Sequence, residues 1–206
     1  MEKITVDHLV KTYQGNRVIN EISMEFDEGK SYGIIGRNGA GKSVFLKLLI
    51  GVLKPTEGTV ILNGAGGAPL IGAVIDGSDL YMDLTAVQNL TYLANLRRVI
   101  GKEKIYETLR QVGLDPEDKR RIKKYSLGMR KRLLIAQAIM EAPDILVLDE
   151  PTNSLDAGGV DMLYKVVEDA KKRGATVFVA SHYKEDIETL CDVTYEMKEG
   201  QLQPLH

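Results

Sequence analysis

Two hydrophobic periods alternate along this chain, and the places where one gives way to the other divide it into elements. Ile4, Val6 and Leu9, then Ile22, Met24 and Phe26, recur at or near every second position, the spacing of strands with one buried face. Residues 2 to 35 therefore read as antiparallel β structure, with Glu28-Gly29-Lys30 as a turn into the apolar strand Tyr32 to Ile35. Val44, Phe45, Leu48 and Leu49 then repeat at helical spacing, and Gly51 followed by Pro55 supplies a stop. Thr59 to Leu62 and Ile71 to Ile75 read as short strands on either side of a flexible segment from Asn63 to Pro69.

The pattern changes at Thr85, where Thr85-x-x-Gln88 is a capping box that predicts a helix toward Arg98. A second helix spans about Glu103 to Val112 with Gly113 past its end, and a third follows Ser126. Together they predict a helical insert over about residues 78–142. Beyond it, Asp144 to Leu148 and Thr176 to Ala180 are nearly uninterrupted apolar runs, as expected of parallel strands covered on both faces. A helix from about Gly159 to Lys172 lies between them and ends on basic residues suited to its negative pole. The predicted fold class is α/β, one domain over residues 1–206: a mainly parallel sheet, an antiparallel β subdomain at the amino-terminal side, and the inserted helical subdomain.

Composition leaves that picture in place. The 206 residues are 44% hydrophobic and 27% charged, as in ordinary globular proteins. A formal charge of −2 gives no reason to expect nucleic acid as a partner. The lone cysteine, Cys191, excludes an internal disulfide and reads as a buried, inert thiol in a reducing compartment. The start MEKITVDHLV has no secretory core, and the run Leu48 to Leu53 falls far short of the ~18 apolar residues that span a bilayer. A cytoplasmic chain is expected.

The chemistry begins at Gly36-Arg37-Asn38-Gly39-Ala40-Gly41-Lys42-Ser43, between a predicted strand and a predicted helix. This spacing is that of a phosphate loop of the P-loop NTPases, in which glycines let backbone N–H groups converge on phosphate oxygens. Lys42 would reach the β and γ oxygens of ATP and Ser43 would ligate Mg²⁺. Asp149 and Glu150 end a buried strand, and strand geometry sends them to different sides. Asp149 would hold the magnesium shell through water, while Glu150 would polarise the water that attacks the γ-phosphate. His182 follows another such strand, at the edge where α/β proteins place ligands, and reads as a γ-phosphate sensor. Ser126 is a sound helix cap, and with the Gly128 N–H it also makes a second anion site. A second phosphate site implies a second molecule.

This set resembles the ATP-binding subunits of ABC transporters, whose motifs run along the chain in the same order. The resemblance covers essentially the whole sequence. It implies that Tyr13 stacks on adenine, that Ser126 and Gly128 form the signature, and that Ser154-Leu155-Asp156 is the loop after the catalytic Glu150. It further implies a head-to-tail pair of cassettes with two ATP molecules between them, and attachment to the inner face of the membrane through an integral permease. Three places depart from the family: the signature is Tyr125-Ser126-Leu127-Gly128-Met129, Val44 stands where a hydroxyl residue is usual, and Asp76 occupies the glutamine place. The altered signature with an acid in that loop resembles the branch of bacitracin and lantibiotic efflux or immunity transporters. Asp76 is one methylene shorter than that branch's usual glutamate, so it is expected to meet Mg²⁺ through water. Leu80-Tyr81-Met82-Asp83-Leu84 is expected to lie partly exposed, where the family receives a helix of the membrane partner. The run Lys119 to Lys124 reads as a solvated basic face. Two other classes carry such motifs: a non-transport ABC ATPase acting on DNA or ribosomes, and a regulatory module without catalysis. The first is expected to show a long coiled-coil insertion or a second cassette and the sequence has neither; the second conflicts with intact Lys42, Asp149, Glu150 and His182.

Overall fold

The computed structural model describes residues 3–62, 67–76 and 79–205. Asn63 to Gly66, the larger part of the segment expected to be flexible, and Ser78, the expected start of the helical insert, lie outside the described residues.

Two sheets form the frame. A three-stranded antiparallel sheet takes the order β2-β1-β4, from β1 (Lys3–Tyr13), β2 (Asn16–Asp27) and β4 (Glu57–Leu62). A six-stranded sheet takes the order β5-β6-β7-β3-β8-β9. Its members are β3 (Ser31–Ile35), β5 (Ile71–Val74), β6 (Ile145–Asp149), β7 (Thr176–Ser181), β8 (Val193–Lys198) and β9 (Gln201–Leu205). All pairings in it are parallel except that of β8 with β9. The helices are α1 (Lys42–Leu49), α2 (Ala86–Arg97), α3 (Lys102–Gln111), α4 (Leu127–Ile139), α5 (Ala157–Lys172) and α6 (Lys184–Leu190). None of them is long and apolar enough to cross a membrane.

Every residue of β6 and β7 is buried, and the alternation of their side chains makes two cores. Ile145, Val147, Phe178 and Ala180 face α1 and the antiparallel sheet, where they meet Phe26, Ile34, Phe45 and Leu49. Leu146, Leu148, Val177 and Val179 face the other way, into the apolar faces of α4 and α5 at Leu133, Leu163 and Val167. Phe26 locks the first core by edge-on contacts with Tyr32 at 4.9 Å and Phe178 at 5.1 Å. Contacts of this geometry are worth about 0.5–1.5 kcal/mol each beyond burial alone.

The capping box at Thr85 is present in both directions: Gln88 N–H donates to Thr85 Oγ1, and Thr85 N–H donates to Gln88 Oε1. The elements after His182 carry no sequence expectation, and they complete the sheet: α6 leads into β8, which pairs with β3, and β9 closes the edge. Cys191 is half-buried, and burial pushes its thiol up to about 12, so it stays protonated and unreactive.

Candidate active site

The loop between β3 and α1 is built around an uncapped helix end. Gly41 stands at the N-cap of α1 in a left-handed conformation (φ 108°), offers no side-chain cap, and is followed by no acidic residue in the first turn. A Cβ there would also press on the Val18 carbonyl at 3.0 Å. By contrast Thr85, Ser126 and Asp156 cap α2, α4 and α5 with their own oxygens. The amino end of α1 therefore keeps its N–H groups and its partial positive charge for an anion. Arg37, Asn38, Gly39 and Ala40 line a cavity of about 850 Å³ beside it, shared with Arg17, Val18, Glu196 and Lys198. That volume suits a small-molecule ligand. Val44 lies half-buried in the first turn of α1 and has no polar group to add.

Lys42 is buried, and its ammonium donates to the carbonyls of Gly36 at 2.7 Å and Arg37 at 3.4 Å. It also sits 3.4 Å from Glu150 Oε1. Glu150 has left the strand: its φ of 45° is left-handed, a conformation rare for a residue with a side chain. That turn, and not the strand alternation expected from the sequence, separates it from Asp149 and carries its carboxylate to His182, whose Nδ1 lies 2.8 Å from Oε2. The carboxyl ends of β3, β6 and β7 thus bring Lys42, Asp149, Glu150 and His182 together.

Asp149 is buried at the end of β6, and burial holds its carboxyl above the ordinary carboxylate value. A hydrogen bond from Ser43 and the ammonium groups of Lys42 and Lys131 pull the other way, while the Glu150 charge adds to the rise. Asp149 Oδ1 and Glu150 Oε1 are both buried without a hydrogen-bond partner. Two such oxygens facing a cationic loop are what a hydrated cation or a reacting water would satisfy.

Behind this cluster runs a network that the sequence did not disclose. Asp186, a buried carboxylate on α6, accepts from Thr152 Oγ1 at 2.6 Å and from Ser181 Oγ at 3.3 Å. It joins the loop after Glu150 to the residue before His182. Lys131 on α4 reaches the same loop from the opposite side, donating to the Glu150 carbonyl at 2.9 Å. Lys131 shares a helix face with buried Ile135 and Ala138, and a lysine in that stripe was the one signal the sequence offered.

The remaining expected residues lie apart. Tyr13, at the end of β1, is 43% exposed, with the Lys11 ammonium 5.1 Å from its ring centre. Ser126 caps α4, accepting from Met129 N–H at 3.2 Å, so the plain capping role is real. A Cβ on Gly128 would lie 2.9 Å from the Ser154 carbonyl, which fixes the signature helix against the loop after Glu150. Asp76 is 89% exposed and pairs at 4.0 Å with Lys47 on α1. Tyr81 and Met82 are exposed, and Tyr81 packs edge-on against exposed Tyr92 at 4.8 Å. In the basic run, Arg121 and Lys123 pair with Asp83, and Arg120 pairs with Asp118.

The family model described as ABC transporter matches residues 19–153. The chain is 39% identical over 206 residues to the uncharacterized ABC transporter ATP-binding protein YybJ of Bacillus subtilis, covering 97% of this chain and 94% of that protein. It is 38% identical over 207 residues to the bacitracin transport ATP-binding protein BcrA of Enterococcus faecalis, covering 97% and 67%. It is 36% identical over 203 residues to the lantibiotic transport ATP-binding protein SrtF of Streptococcus pyogenes, covering 97% and 88%. Among solved structures, an ATP-binding subunit of an ABC transporter matches with a TM-score of 0.87 at 25% identity, over 98% of this chain and 88% of that one. A dimeric ATP-binding cassette bound to ADP and Pi in a post-hydrolysis state matches in fold with a TM-score of 0.88 at 22% identity, over 98% and 99%. By its matched span and by relatives aligned along nearly all of it, this chain belongs to the ABC transporter family, as an ATP-binding domain.

Proposed function

We propose that this chain hydrolyses ATP to energise export through a separate membrane-embedded permease, as one of two cassettes paired head to tail. The observation that carries the reading is the placement of Glu150 between the Lys42 ammonium at 3.4 Å and His182 Nδ1 at 2.8 Å, beside the uncapped end of α1. The donor set fits a triphosphate with a divalent ion. Among the described residues no group of three or more His, Cys, Asp or Glu could hold a metal alone. That suits magnesium, which takes one or two protein oxygens and completes its shell with water and phosphate.

Ser43, with Asp149 and Asp76 acting through water, would hold the ion, which when bound would neutralise charge on the β- and γ-phosphates. Tyr13 stacks on adenine, and residues Gly36 to Val44 bind the phosphates. Lys42 turns from its two carbonyls to the phosphate oxygens. Glu150 accepts a hydrogen bond from the attacking water and orients it, and His182 fixes the Glu150 carboxylate and reports the γ-phosphate. Ser126 and Gly128 of a second copy cap the triphosphate from the far side. The exposed Tyr81, Met82 and Tyr92 receive the permease, which would hold the chain at the inner face of the membrane.

The names of the relatives support an antimicrobial peptide as the exported cargo. Deleting the gene in its own host and measuring resistance to bacitracin and to lantibiotics tests this: increased sensitivity to either supports it. Unchanged resistance to both removes the cargo reading, while Mg²⁺-dependent phosphate release by the purified chain tests the catalytic reading separately.

A further inference from the structure

Glu150 is held in its left-handed turn from both sides. Its own N–H donates to the Ala180 carbonyl of β7 at 2.8 Å, which fixes the peptide before it. Its carbonyl accepts from Lys131 Nζ at 2.9 Å, which fixes the peptide after it, and the same ammonium lies 3.5 Å from the Asp149 carbonyl. A non-glycine residue at a φ of 45° persists only where its surroundings over-determine it. Lys131 projects from the face of α4 that buries Ile135 and Ala138. An aliphatic side chain would pack there without a donor for the two carbonyls.

We propose that Lys131 is a positioning residue for hydrolysis: by holding the carbonyls of Asp149 and Glu150 it fixes the turn that aims the Glu150 carboxylate between Lys42 and His182. Lys131 stands about one turn beyond Ser126 and Gly128 on the same helix. The inference rests on Glu150 being the base, so the tests are run beside Glu150→Gln.

Lys131→Met keeps the aliphatic length and removes the donors, and Lys131→Arg restores them. Phosphate release against ATP concentration gives kcat and KM, binding of a nonhydrolysable ATP analogue gives affinity, and thermal melting reports the fold. Lys131→Met is expected to lose about tenfold or more in kcat, the scale of a misplaced catalytic group, with Lys131→Arg recovering most of it. KM and analogue affinity stay within about twofold, because ground-state binding is untouched. A Lys131→Met chain at the parental kcat beside an inactive Glu150→Gln overturns the inference. So does a loss of kcat that follows a loss of affinity or of folded protein, which makes Lys131 a packing residue. If Lys131→Met melts below the assay temperature, Lys131→Leu, which also lacks a donor, takes its place: a selective loss of kcat supports the inference and parental kcat overturns it. Parental kcat in Glu150→Gln overturns the base assignment itself, a distinct result that also removes the Lys131 inference.

Discussion

The Lys42 ammonium and the Glu150 carboxylate face each other at 3.4 Å, with side chains only 6% and 22% exposed. The proposed cation for phosphate and base for water thus share one poorly hydrated space. Replacing Glu150 by Gln keeps the shape and removes the charge. We expect Mg-ATP binding to survive and phosphate release to fall by about 10²–10⁴-fold. The arrested variant should accumulate as a dimer. Sedimentation at high protein and ATP concentration checks this, and a monomer there would contradict the shared-site mechanism.

Asp149 links the site to pH. Its folded-state carboxyl titrates above the ordinary value of 3.8 because it is buried. Between those two values the folded chain binds the proton more tightly than the unfolded chain. Stability is therefore lost as pH rises through the folded pKa and the buried charge appears. Asp149→Asn carries no such charge. The nucleotide-free variant should melt higher at neutral pH, by about 2–4 °C for each kcal/mol relieved. The gap should close as pH falls through the carboxyl's folded pKa. Calorimetry across pH reads it, and a gap independent of pH would contradict the assignment.

The approach of Gly128 to the Ser154 carbonyl leaves no room for a methyl group. Gly128→Ala should cost about 1–3 kcal/mol of stability, the range for overpacking against rigid backbone. Leu127→Ala, at a neighbouring side chain that is 69% exposed, should change stability by no more than about 0.5 kcal/mol. Urea unfolding of the nucleotide-free chain distinguishes the two positions.

Tyr81 and Tyr92 stack edge-on in the open, near exposed Met82 and Leu96. Tyr92→Lys should leave ATP hydrolysis by the isolated chain within about twofold, since the ring touches no part of the phosphate site. It should weaken co-purification with the permease. Undiminished co-purification would move the docking surface elsewhere.

What the sequence disclosed was local. The Thr85 box, the uncapped loop before α1 and the apolar runs of β6 and β7 each act within a few residues, so their patterns survive in the linear order. Lys131 and Asp186 could not be read that way, because their partners lie 19 and 34 residues away in the chain. The closing elements were hidden for a different reason. α6 has seven residues, and β9 lies at a sheet edge with most of its residues exposed, so neither shows a hydrophobic period. Glu150 was legible as a residue and illegible as a geometry, since nothing in Asp149-Glu150-Pro151 announces a left-handed turn.

Lys42 lies against the Gly36 and Arg37 carbonyls of its own loop. On the proposed function a triphosphate would exchange those two contacts for its own, which would moderate its grip, and the departure of spent nucleotide would leave the lysine somewhere to return. A loop that resets itself in this way suits a machine that must let go as often as it holds.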